Sequence, residues 1–187
     1  MAKFFGNLHL VLLIGLLASF AVMFGVDADG VTAQSITRWL HTFVGIVWIG
    51  LLYYFNFVQI PTMPKIPAEL KPGVSKHIAP AALFYFRWAA ALTVLLGLII
   101  AYQAGYEREA LMLSGNYKLI GIGMWLALIM AFNVWFIIWP NQKKALGIVE
   151  ADDATKAKAA TTAMMTSRLN TLLSIPMLYT MVTFNGG

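Results

Sequence analysis

The sequence predicts an all-α integral membrane protein. It reads as one domain over residues 1–187, a bundle of about five transmembrane helices with the N-terminus cytoplasmic and the C-terminus outside. Three observations carry this. The chain is 60% hydrophobic and 11% charged, where a soluble domain is about a quarter charged, and its mean hydropathy is +0.74. Apolar runs recur at the length a bilayer demands, roughly 20 residues each. The basic residues collect in alternate loops.

The first run, about 8–26, follows Lys3 and ends at Asp27, Asp29 and Gly30. No small-residue cleavage pattern follows it, so it reads as a retained helix and not a signal peptide. The second, about 36–58, is closed by the proline-rich QIPTMPKIP. The third, about 80–102, opens on Pro80, where a missing N–H costs nothing. The fourth, about 118–139, is predicted to stop at Pro140. The fifth, about 153–184, is different. Its first half is alanine-rich with lysines, helical but wet; its second half is apolar, short for a span, and contains Pro176. A long helix emerging from the membrane on one side fits this pattern.

Five spans place Lys3, Lys65, Lys71, Lys76, Lys143, Lys144, Lys156, Lys158 and Arg168 on one side, against Arg38, Arg108 and Lys118 on the other. The richer side is cytoplasmic by the positive-inside rule. The net charge of +5 is thereby explained by orientation beside anionic lipid, without nucleic acid. There is no cysteine, which excludes disulfides, thiolate metal sites and covalent c-type haem attachment. All eight acidic residues lie in loops or tails, so no carboxylate proton path crosses the membrane. No Ser/His/Asp set, paired carboxylates or phosphate loop is present.

Polar groups inside the spans are the candidate site residues, because lipid offers them no hydrogen bonds. In RWLHTFVGIVWIGLLYYFNF, a helical wheel puts Arg38, His41, Gly45, Trp48, Leu52 and Asn56 in one sector. His41 has three roles open to it: axial ligand to haem iron, proton carrier, or hydrogen-bond donor to a neighbouring helix. Arg38 snorkels to the outer surface. His41 is near the outer end of its helix, while His9 and His77 are at the cytoplasmic end, about 25–30 Å away. A haem on His41 therefore needs another second ligand; Met23 is one candidate, a histidine from another subunit a second. Arg87 lies about two turns inside the third span, where a charge costs about 2.5 kcal/mol or more. Its partners could be Asn56, helix-end carbonyls or an anionic ligand, with snorkelling as the plain alternative. Asn133, Asn170, Thr171 and Ser174 complete the set, and interhelical hydrogen bonding is their simplest role. The methionines read mostly as packing.

Four ordered blocks resemble a known family. HTFVGIVWIGLLYYFNFVQ at 41–59, FYFRWAAALTVLLG at 84–97, NVWFIIWPNQKK at 133–144 and SRLNTLLSIPMLYTM at 167–181 are similar to the membrane domain at the N-terminus of bacterial membrane-bound urate oxidases. That resemblance implies an all-helical fold in the bacterial inner membrane. In the full-length enzymes a c-type cytochrome domain follows the membrane part, which implies electrons leaving toward a cytochrome chain. His41, Arg87 and Asn133 match family positions. Two positions depart from the pattern: Leu169 and the terminal TFNGG stand where histidines are expected. The resemblance thus carries over the fold and a redox association, not the urate reaction. The expectation is a redox-associated subunit holding haem b through His41, with Arg87, Trp48, Asn56 and Asn133 around the cofactor. Its partners would be the lipid bilayer, other membrane subunits or a c-type cytochrome. The alternative is a non-catalytic accessory subunit of a larger membrane complex.

Overall fold

The computed structural model describes residues 2–184; Asn185–Gly187, the end of the TFNGG stretch, lie outside the described residues. Every regular element among the described residues is helical. Five are long: α1 (Leu8–Val26), α2 (Ala33–Lys65), α3 (Lys71–Gln103), α4 (Gly115–Ala145) and α5 (Asp153–Thr183). The first four are long and apolar enough to cross a membrane.

Local chemistry sets the starts. Asn7 Oδ1 accepts from Leu10 N–H ahead of α1. Thr32 and Ser35 form a reciprocal capping box on α2. Asp152 accepts from both the N–H and the hydroxyl of Thr155 at the head of α5.

The prolines do not end α2 and α4 where the sequence predicts. Both helices run on past Pro61 and Pro140, and α3 begins upstream of Pro80. In each case a π-helical turn precedes the proline: Tyr54–Gln59, Val74–Ile78 and Asn133–Ile138. The N–H groups of Ile60, Ala79 and Trp139, each one residue before its proline, reach back five residues to the carbonyls of Phe55, Val74 and Val134. A proline in an ordinary helix clashes with the carbonyl four residues back and cannot donate to it. The wider turn supplies an i−5 bond just ahead of the missing donor and keeps the helix intact. The result is helices of 33, 33 and 31 residues. At 1.5 Å per residue the longest are about 50 Å, well beyond an apolar layer of about 30 Å.

Helices α2, α3, α4 and α5 form the bundle. Trp48, Leu52, Phe86, Met130 and Val134 are its fully enclosed core side chains. Helix α1 contributes no buried residue; it meets α2 through Phe20 and Trp39, whose rings lie 6.4 Å apart. At the end where α3 leaves the bundle, Tyr106 stacks on Tyr117 at 5.1 Å and Phe184 closes edge-on at 5.4 Å. Burial raises the Tyr106 hydroxyl above its ordinary pKa.

Helix α5 explains its own weak apolar signal. Ala159, Ala163, Ser167, Asn170, Ser174, Met177 and Thr180 face inward and are buried. The outward face carries Leu172, Ile175, Tyr179 and Val182, 63%, 65%, 64% and 75% exposed. Its buried face is mostly small and polar, with Met177 the one large apolar side chain fully in it, and its most exposed residues are large and apolar. A whole-helix average cancels the two.

Candidate functional site

Two polar levels exist in the bundle. The first is centred on His41. Its Nδ1 is 2.9 Å from the carbonyl oxygen of Thr93 on α3. A carbonyl only accepts, so Nδ1 carries the proton and Nε2 keeps its lone pair. The ring fits because position 97 is glycine: a Cβ there would sit 3.0 Å from His41 Cε1. Thr93 turns its own hydroxyl to the Ala89 carbonyl at 2.7 Å. Beside the ring is a cavity of about 40 Å³ lined by His41, Thr93, Val94, Gly97, Leu98, Met124, Ala127, Leu128, Met177 and Met181. Met23 of α1 is not among these residues, and His9 and His77 are exposed.

The second level lies toward the other end. Asn133 donates to Asn170 Oδ1 at 2.8 Å, and Asn170 donates to the Met130 carbonyl at 2.9 Å. Asn56 donates to Ser167 Oγ at 2.8 Å and to the Leu52 carbonyl at 2.9 Å. Between the levels, Tyr53 OH and Ser174 Oγ are 3.0 Å apart. All but the Asn56–Leu52 bond, which stays within α2, tie α5 to α2 or α4.

Arg87 does not pair with Asn56. Its guanidinium carbon sits 3.9 Å over the Trp139 ring of α4 and 5.4 Å from that of Phe84, a cation–π seat suited to a charge leaving an apolar layer. Its carbonyl accepts from Trp135 Nε1 at 3.0 Å. Trp48 is fully buried and its indole N–H has no partner among the described residues; Asn56 Oδ1 is likewise unpartnered.

The five residues expected around a cofactor are therefore spread out. His41 holds Thr93, Asn56 holds Ser167, Asn133 holds Asn170, Arg87 covers Trp139, and Trp48 fills the core. The donor chemistry of His41 suits haem iron, because a ligating histidine commonly donates its other N–H to a carbonyl. The room does not: a single water needs about 10–15 Å³ of cavity, so about 40 Å³ takes a few waters or one bare ion, and no porphyrin. The residues that sequence reasoning missed are Thr93, Gly97, Met124, Met177 and Met181. Two of the pairs, Thr93/Gly97 and Met177/Met181, are spaced i,i+4 and so share a helix face, but only the depth of one helix against another reveals that they meet His41.

No curated protein and no solved structure matches the chain. A family model does, over residues 87–185. That region holds two of the four sequence blocks and most of a third, with Arg87 and Asn133; His41, Trp48 and Asn56 precede it. The match spans more than half of the chain, and the protein belongs to the urate oxidase N-terminal family.

Proposed function

We propose that the protein is a non-catalytic integral membrane subunit of a larger redox assembly, crossing the bacterial inner membrane five times with its N-terminus inside. The observation that carries this is the dispersal of the polar set. Its hydrogen bonds lock α2, α4 and α5 together and engage each polar residue with its own partner. The family name supplies the redox context, and the partner it suggests is an oxidase or c-type cytochrome component that holds the reactive centre. The fifth crossing is supported by the apolar outward stripe of α5. The absorption spectrum tests the proposal. The chain freed of its partners shows no Soret band, and in native gels of its own membranes it migrates with a c-type cytochrome.

A second reading keeps haem b on His41, with electrons passing to a cytochrome c partner. The free Nε2 favours it. It requires the helices around the cavity to part. A Soret band that His41→Ala abolishes would establish it in place of the first.

A further inference from the structure

We infer that the cavity beside His41 is a binding site for one soft monovalent metal ion, Cu(I), held by His41 Nε2 and the thioether sulfurs of Met124, Met177 and Met181. Three features point there. The histidine is fixed in ligand form: Nδ1 is committed to the Thr93 carbonyl at 2.9 Å, which leaves Nε2 as the donor. Nε2 lies 4.0 Å from the place a Cβ on Gly97 would take, and Gly97 lines the same cavity. Three methionines from α4 and α5 line it as well, two of them, Met124 and Met177, buried. Methionine side chains are flexible enough to turn sulfur toward an ion.

The chemistry then selects the occupant. Thioether and imidazole together are soft, neutral ligands, which favour Cu(I) over hard oxygen-seeking ions. Among the described residues no group of three or more His, Cys, Asp or Glu could hold a metal, so zinc, calcium and magnesium have no comparable site. A single positive charge is also the smallest charge that could be placed among neutral ligands in an apolar layer. Water is a poor occupant. It needs two to four polar partners, and beyond Nε2 the lining is almost wholly carbon and sulfur, with the Thr93 hydroxyl already turned to Ala89. The size agrees too, since about 40 Å³ admits an ion and excludes a porphyrin.

The test is an anaerobic titration of the full chain in detergent with Cu(I), in competition with a chromophoric Cu(I) chelator. X-ray absorption at the copper edge follows. The expected result is one Cu(I) per chain, a shell of nitrogen plus sulfur, and no displacement by Zn(II). Second-shell changes alone weaken metal sites by about 10–100-fold, so Met177→Leu with Met181→Leu should cost at least about tenfold in affinity. Leucine conserves volume, and this pair leaves the His41–Thr93 bond in place; it therefore serves as the test even if His41→Ala fails to fold. Absence of stoichiometric binding would overturn the inference. So would a shell without sulfur, or affinity unchanged in the Met177→Leu/Met181→Leu protein, because either would assign the copper to exposed histidines such as His9 and His77.

Discussion

Asn170 has no exposed surface and uses both ends of its amide, accepting from Asn133 and donating to the Met130 carbonyl. Replacing it with leucine strands the Asn133 amide and removes one of the two donors to the Met130 carbonyl, which keeps the Asn133 backbone N–H, at a cost of about 1–2 kcal/mol for hydrogen bonds between membrane helices. Asn133→Leu alone strands one. The double change strands neither amide and counts the shared Asn133–Asn170 bond once, so its loss of thermal stability in detergent should fall short of the sum of the two single losses. Additive losses would mean that the two amides do not interact. Glycines divide as sharply. A Cβ on Gly121 would run into the Ala110 carbonyl, whereas one on Gly15 meets nothing within 4 Å. Gly121→Ala should lower stability by about 1–3 kcal/mol and Gly15→Ala, inside a helix with open space, should hold or slightly raise it, as read from melting curves of the two variants. Sequence shows that Asn133, Asn170 and His41 are polar residues in apolar surroundings, and hence that each needs a partner. It does not show which partner, because that depends on how far each helix slides along its neighbour.

Helix α5 makes the same point one level up. Its boundaries were legible from its composition, but its role was obscured because its polar face is the buried one. Ser174 is fully buried against Tyr53, while its neighbour Ile175 looks outward. Ser174→Leu should therefore cost about 1–3 kcal/mol by overpacking, and Ile175→Val well under 1 kcal/mol, again by detergent melting. Equal costs would contradict the assigned faces. At the head of the helix, two hydrogen bonds from Thr155 hold the Asp152 carboxyl below the usual carboxylate range. A depressed folded pKa stabilises above the unfolded value near 4 and is lost as pH falls through the folded one. Amide exchange over the first turn of α5 should thus show weaker protection on acidification below about pH 4, and Asp152→Ala should show that weaker protection at neutral pH. The prolines are the element-scale surprise. Pro61 and Pro140 read as stops because an α-helix cannot carry them without a break; the π-helical turns that absorb them are an adjustment no residue type announces.

At the scale of the whole molecule, composition and charge bias are enough for the all-helical class and for four apolar helices, and the four sequence blocks are enough for the family. The hydrogen-bonded set, in contrast, assembles only when α2, α4 and α5 lie side by side. The proposed fifth crossing by α5, polar toward the bundle and apolar toward lipid, puts the two ends of that helix on opposite sides of the membrane. The chain has no cysteine, so single cysteines report position without background. Cysteines placed singly at Asp29, Lys65, Glu107, Gly147 and Thr183 in the intact protein, in sealed cells, can be probed with a membrane-impermeant maleimide. Five crossings predict labelling from outside at 29, 107 and 183, and protection at 65 and 147 until the membrane is opened. Protection at 183 together with 147 would mean that α5 does not cross, and would contradict the proposal.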